Sequence, residues 1–198
     1  MTFQSDLFSG KSALVTGATT GIGAAIATHL AELGASVIAA GLGADALTTP
    51  ADLKMDAREL DVCDDAAVSA LIASLDLLDI VVNCAGVIRR VEEHQLDVFE
   101  KVLSINLTGT MRVCTASRAK LAENKGCVVN TASMLSFFGG GLVPAYSASK
   151  GGVAQLTKIA GDRLCQRWHP GQRSRSGLDR YPTDESAAGR SGPIETYT

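Results

Sequence analysis

TGATTGIG, residues 16–23, lies between a short apolar run and an amphipathic stretch, and its reading decides the fold. Upstream, KSALVTG (residues 11–17) has the β-branched, apolar character of a buried strand. Downstream, GIGAAIATHLAELG (residues 21–34) repeats Ile22, Ala25, Ile26, Leu30 and Leu33 at helical spacing, with Gly34 placed as a C-cap. A strand, a glycine-rich turn and a helix in this order open a dinucleotide-binding βαβ unit. Gly17 permits the tight turn. Gly21 and Gly23 let a pyrophosphate approach backbone N–H groups at the helix N-terminus, where the dipole favours negative charge. The competing reading is that these glycines serve only close packing of helix on strand.

The alternation continues outward. ASVIAAG (35–41) reads as a second strand, LDV (60–62) as a short third one, and Asp64 as the cap of a helix running to Leu75. LDIVVNCAG (78–86) is continuously apolar, as a strand buried on both faces must be. A long helix is predicted from Leu96 to Leu121, a fifth strand in GCVVNTAS (126–133), and a second long helix from near Tyr146. Residues 41–60 leave room for one or two helical turns at most. Strands alternating with helices predict an α/β protein with a Rossmann-like, doubly wound parallel sheet in a single domain, residues 1–160.

Composition narrows the function classes. A net charge of −3 provides no basic footprint for nucleic acid or an anionic membrane. No apolar run approaches membrane-spanning length. Five cysteines, odd in number and without CxxC spacing, argue against a disulfide framework or a metal site. The stretch MTFQSDLFSGK lacks the basic and apolar regions of a signal peptide, so a reducing, cytoplasmic setting is expected.

Five motifs then stand in one order: TGATTGIG, NCAG (83–86), SINLTG (104–109) with Asn106, Ser133 after the fifth strand, and YSASK (146–150). Together they resemble the short-chain dehydrogenase/reductase family, over about residues 11 to 158. Taken singly, each has a bland reading: a helical Tyr/Lys pair on the surface, a serine cap, a helix-kink asparagine. A methyltransferase-like fold is disfavoured by the same motifs. The resemblance implies an NAD(P)-dependent oxidoreductase acting on a secondary alcohol or ketone, with Asn106, Ser133, Tyr146 and Lys150 at the reaction centre. It also implies cofactor contacts from Gly17, Thr20, Gly21, Ile22, Gly23, Asp61, Val62, Asn83, Ala85, Gly86, Tyr146 and Lys150, and no metal. The other class considered is a non-catalytic nucleotide-binding or regulatory protein.

The chemistry is intelligible from the residues. Tyr146 and Lys150 are four apart and share a helix face. A free tyrosine titrates near about pH 10, and a neighbouring ammonium favours its phenolate. Tyr146 can then take the alcohol proton, or return it in reduction. Ser133 is placed to hold the substrate oxygen. The family resemblance further implies that Lys150 holds the nicotinamide ribose, that Asn106 anchors a proton-relaying water chain, and that the intact protein is a homodimer or homotetramer.

Two specificity questions stay open in the sequence. The end of strand two, where an acid commonly holds the ribose hydroxyls, is Gly41, and Thr19 and Thr20 stand where NADP-using relatives often carry a basic residue. Either NAD or NADP fits, and the lack of positive charge for a phosphate tilts the reading to NAD. On the substrate side, Met134, Phe137 and Phe138 form either an apolar wall or core. Arg89 and Arg90 are either a carboxylate site or a solvated pair. AGVIRR resembles family members that oxidise sugar acids such as deoxygluconate, and the 3-oxoacyl-carrier-protein reductases are an equal relative.

The pattern stops after Lys158. From residue 161 onward all six basic residues are Arg, whereas Lys outnumbers Arg before it. One extra base after the Lys158 codon allows codons whose restored frame contains IRVNAVAPG, the strand and turn that the resemblance implies there. Residues 161–198 therefore read as an out-of-frame, disordered tail, with the C-terminal strands missing or disordered; a divergent tail is the alternative. The expected consequence is an open apolar edge at the fifth strand, poor folding and weak or no activity.

Overall fold

The computed structural model describes residues 3–165. Five parallel strands are β1 (Ser12–Thr16), β2 (Ser36–Gly41), β3 (Met55–Glu59), β4 (Ile80–Asn83) and β5 (Cys127–Asn130). Six helices connect or follow them: α1 (Gly21–Glu32), α2 (Asp65–Ala73), α3 (Leu96–Leu103), α4 (Thr110–Asn124), α5 (Leu135–Phe138) and α6 (Pro144–Cys165). The sheet order β3-β2-β1-β4-β5 puts the reversal of winding at β1, between β2 and β4. A crevice at the carboxyl ends of β1 and β4 is where an open parallel sheet binds ligands.

Both faces of the inner strands are covered, so β1, β2 and β4 are largely apolar. Ala13, Val15, Val37 and Val82 pack with Ala27 and Ala31 of α1 on one face. Leu14, Val81, Val68, Ile72, Val113 and Leu121 form the core under α2 and α4 on the other. The caps expected from the sequence are formed. Gly34 ends α1 at φ +95°, and the Asp64 side chain accepts the Ala67 N–H at 3.0 Å.

Three expectations need correction. The third strand is Met55–Glu59, not 60–62. It is an edge strand, half-buried at Met55 and Ala57 and exposed at Asp56 and Arg58, so its sequence looks polar. Leu60 and Val62 are buried, but in the turn after it. The buried stripe of α1 is Gly23, Ala27 and Ala31, small residues that bring the helix close to the sheet. Ile22 is instead exposed, and Ala25 likewise. The long helix is continuous through Asn124 but contains a π-helical segment, Ser104–Gly109. Between β2 and β3 stands one 3₁₀ turn, Ala44–Ala46, in keeping with the room available.

β5 has no outer strand partner among the described residues, and Val129 on it is exposed. α6 runs through residues 161–165, past the boundary expected at 160. The remainder of the expected tail lies outside the described residues. No helix among those described is long and apolar enough to cross a membrane.

Candidate active site

The glycine loop shapes a cleft of about 940 Å³ over the carboxyl ends of β1 and β4. Its glycines differ in purpose. A Cβ on Gly17 would stand 2.6 Å from the Ala85 backbone, and one on Gly23 would stand 2.1 Å from the Gly17 carbonyl oxygen. Those two are required by backbone crossing backbone. Gly21 has φ +57° and nothing within 4 Å of its Cβ position, so it leaves an open approach to the start of α1. Thr20 caps α1 without a side-chain hydrogen bond, and no acid occupies the first turn. The cradle fits a pyrophosphate: backbone donors at a helix N-terminus, reachable and not already filled.

Thr20, Ile22, Asp61, Val62, Ala85 and Gly86 join the three glycines in lining this cleft. Asp61 turns its carboxylate back on its own loop, accepting the Cys63 N–H at 2.8 Å. Asn83 is placed differently. It is buried at the end of β4, donates to the Asn130 side-chain oxygen at 2.8 Å, and lies outside the cleft lining. It ties β4 to β5.

Tyr146 and Lys150 lie on α6, outside the residues that line this cleft but next to its Gly86 wall. The Lys150 Nζ lies 5.7 Å from the Tyr146 ring centroid and donates to the Thr131 carbonyl at 2.6 Å. Lys150 is buried, and burial pushes its ammonium below the usual lysine range, with Cys84 pulling the other way. A Cβ on Gly86 would come within 3.7 Å of this Nζ, which places Lys150 directly against the cleft wall.

Asn106 sits in the π-helical segment and is fully buried. Its amide oxygen accepts the Val87 N–H at 2.8 Å and its amide nitrogen donates to the Val87 carbonyl at 2.9 Å. One side chain thus satisfies both backbone groups of Val87, as a neighbouring strand would. The same nitrogen donates to Ser149 Oγ at 3.1 Å, and Ser149 donates to the Tyr146 carbonyl at 2.7 Å. Ser133 is half-buried on the loop after β5, and its Oγ accepts the Leu135 N–H at 3.2 Å. That loop is tied to α6: Ser136 Oγ accepts the Ser133 N–H at 3.1 Å and donates to the Lys150 carbonyl at 2.8 Å.

One residue escaped the sequence reading. Glu93 is 1% exposed, and its carboxylate accepts the N–H groups of Arg89 and Tyr146, each at 2.8 Å. Nothing in VEEHQ distinguishes it from the exposed Glu92 beside it. It fastens the loop after β4 to the first turn of α6. Val91, in that loop, has φ +71° and donates its N–H to the Leu142 carbonyl at 2.8 Å. A β-branched residue in that region is strained, and the surrounding contacts hold it. Arg89 and Arg90 are exposed, with no ion-pair partner among the described residues. Met134, Phe137 and Phe138 are about 70% exposed and are not core.

The family model for short chain dehydrogenases matches residues 11–167. A 2-dehydro-3-deoxy-D-gluconate 5-dehydrogenase of Bacillus subtilis is 39% identical over 171 residues, covering 80% of this chain and 67% of that protein. A D-threitol dehydrogenase of Mycolicibacterium smegmatis is 39% identical over 163 residues, covering 76% of this chain and 63% of that protein. This chain therefore spans about two thirds of the length of such relatives. A candidate NAD(P)-dependent gluconate 5-dehydrogenase from Beutenbergia cavernae, solved with bound NADP, superposes with a TM-score of 0.73. It is 34% identical, over 82% of this chain and 70% of that one.

Proposed function

This chain belongs to the short-chain dehydrogenase family, and we propose that it is built to move a hydride between NAD(P) and a secondary alcohol or ketone. The observation that carries the reading is Lys150, buried beside Tyr146 and set against Gly86 in the wall of a cleft that opens on an uncapped glycine cradle. A bound nicotinamide supplies the hydride acceptor or donor. Gly17, Gly21 and Gly23 admit the pyrophosphate, and Asp61 and Val62 form the adenine side of the cleft. Tyr146 takes or returns the hydroxyl proton, and Lys150 lowers the cost of its phenolate through the nearby positive charge. Ser133 holds the substrate oxygen. Asn106 stiffens the junction of β4, α6 and the Lys150 turn, and it anchors the relay that returns the proton to Lys150.

The substrate belonging to this reading is a sugar acid. Support comes from the deoxygluconate dehydrogenase relatives and from Arg89 and Arg90, two exposed guanidinium groups able to take a carboxylate in fork geometry. A homodimer or homotetramer, assembled in the cytoplasm, completes the proposal. Exposed Met111 on α4 and Ile159 on α6 favour the assembly, and the four described cysteines, all free thiols, favour that compartment.

The test is turnover of NAD+ and NADP+ with a panel of sugar acids, polyols and hydroxyacyl thioesters, by the chain and by Tyr146→Phe. The phenylalanine variant should lose turnover by a factor of at least about 100 while binding nucleotide within twofold. Nucleotide binding without turnover on any substrate would leave a binding protein and end the enzymatic reading.

A further inference from the structure

We infer that Glu59 makes the cofactor cleft select NAD over NADP, an inference that rests on the nucleotide-binding reading above. The starting point is Gly41, the last residue of β2, which stands twenty positions after Gly21. In dinucleotide folds an acid at about that distance holds the ribose 2′-hydroxyl, and a basic residue there accepts a 2′-phosphate instead. Gly41 is neither. A Cβ added to it would stand 3.2 Å from Thr19 Cγ2 and 3.3 Å from Thr19 Oγ1, so the Thr19 side chain of the glycine loop crowds the space beside it.

The acid arrives from the next strand. Glu59 is the cross-strand partner of Gly41 in the parallel β2–β3 pair. Its two carboxylate oxygens accept the N–H groups of Gly43, at 3.2 Å, and Ala44, at 2.9 Å. Gly43 is left-handed, with φ +73°, and successive N–H groups turned to one side by such a residue form an anion-receiving concavity. Here that concavity is filled by the chain's own carboxylate. It lies immediately after Gly41 and Leu42, which line the cleft.

Two effects follow. A 2′-phosphate entering at the end of β2 meets a fixed negative charge, and the backbone donors that could have received it are taken. A 2′-hydroxyl meets an acceptor, because a carboxylate with two bonds made still has lone pairs to offer. The neighbouring cation does not cancel the charge: Arg58 points to the other side of the strand and pairs with Asp56 at 2.7 Å. Glu59 itself stands just behind the lining, and of the charged residues that line the cleft, Asp61, Asp97 and Glu100 are acids and Lys101 alone is basic.

Binding of NADH and NADPH to the chain, to Glu59→Gln and to Glu59→Ala, measured by calorimetry without substrate, tests this directly. The unmodified chain should bind NADH at least tenfold more tightly than NADPH. Glu59→Gln, which keeps the shape and removes the charge, should shrink that ratio fivefold or more, chiefly by tightening NADPH. Glu59→Ala, which also frees both N–H groups, should shrink it at least as far. Should the alanine variant fail to fold by circular dichroism, the glutamine variant decides alone. Equal binding of the two nucleotides by the unmodified chain, or a ratio that stays within twofold in Glu59→Gln, overturns the role of Glu59 while leaving the nucleotide-binding reading intact. Binding of neither nucleotide overturns both.

Discussion

The Glu93 carboxylate accepts the backbone N–H of Tyr146 at 2.8 Å, across 53 positions of sequence. Its second oxygen takes the Arg89 N–H at the same distance. A buried anion is costly unless its hydrogen bonds are made, and here both oxygens are used. The backbone of Tyr146, the proposed proton-transferring residue, and that of the loop bearing the arginine pair are thereby held by one residue.

Glu93→Gln keeps the volume but turns one acceptor into a donor that faces an N–H. The expected result is a fall in kcat of about tenfold, with the substrate KM changed less and NADH affinity within twofold, since misplacement of a reacting group costs turnover before binding. Steady-state kinetics and nucleotide titration read the split. An unchanged kcat rules out the positioning role.

The two flexible-looking glycines of the loop should respond differently. Gly23→Ala forces a methyl group to within 2.1 Å of the Gly17 carbonyl oxygen, and only backbone movement relieves it. A loss of about 3 kcal/mol in stability is expected, with loss of nucleotide binding. Gly21→Ala meets no atom within 4 Å and costs only its left-handed φ, about 1 kcal/mol. It should fold, yet bind nucleotide more weakly because the methyl group narrows the approach. Thermal unfolding and nucleotide titration separate the two; equal behaviour would contradict the cradle.

Lys150 carries a pKa lowered from 10.5 by burial. Burial disfavours the ammonium, so this residue destabilises the fold at neutral pH, and the penalty fades as pH rises through the folded value toward 10.5. Lys150→Met should be more stable than the parent at pH 7, with the difference shrinking on the alkaline side, and should have no turnover. Denaturant unfolding of both across pH 6 to 10 reads the sign; a difference that grows with pH is the contrary result.

Asp79 joins β1 to β4. Burial pushes its carboxyl up, but the hydrogen bond from Lys11, the Ser12 N–H and the Lys11 charge outweigh that and hold it below 3.8. A lowered carboxyl pKa contributes stability above the unfolded value and loses it as pH falls through the folded one. Asp79→Ala should cost about 1 kcal/mol at pH 7, a figure kept small because Lys11 is half exposed. The cost should vanish in acid, below the folded pKa. Urea midpoints of both proteins, followed from pH 7 downward into acid, test it; a difference that grows as pH falls is the contrary result.

Much of this protein is written locally. The glycine loop, the alternation of apolar strands with helices, the Asp64 cap and the four-residue spacing of Tyr146 and Lys150 lie within short contiguous stretches. Their periodicity or turn chemistry is enough to place them. Tertiary structure decided what depends on neighbours from elsewhere in the chain. β3 is polar because it is an edge, so the strand pattern in the sequence points instead to the buried turn that follows Met55–Glu59. The exposure of Ile22 follows from how closely the small-residue stripe of α1 approaches the sheet. Above all, Glu59 and Glu93 are ordinary acids in sequence. They acquire roles only where folding brings each carboxylate against two backbone N–H groups, because burial and hydrogen-bond geometry belong to the packed chain and not to residue type.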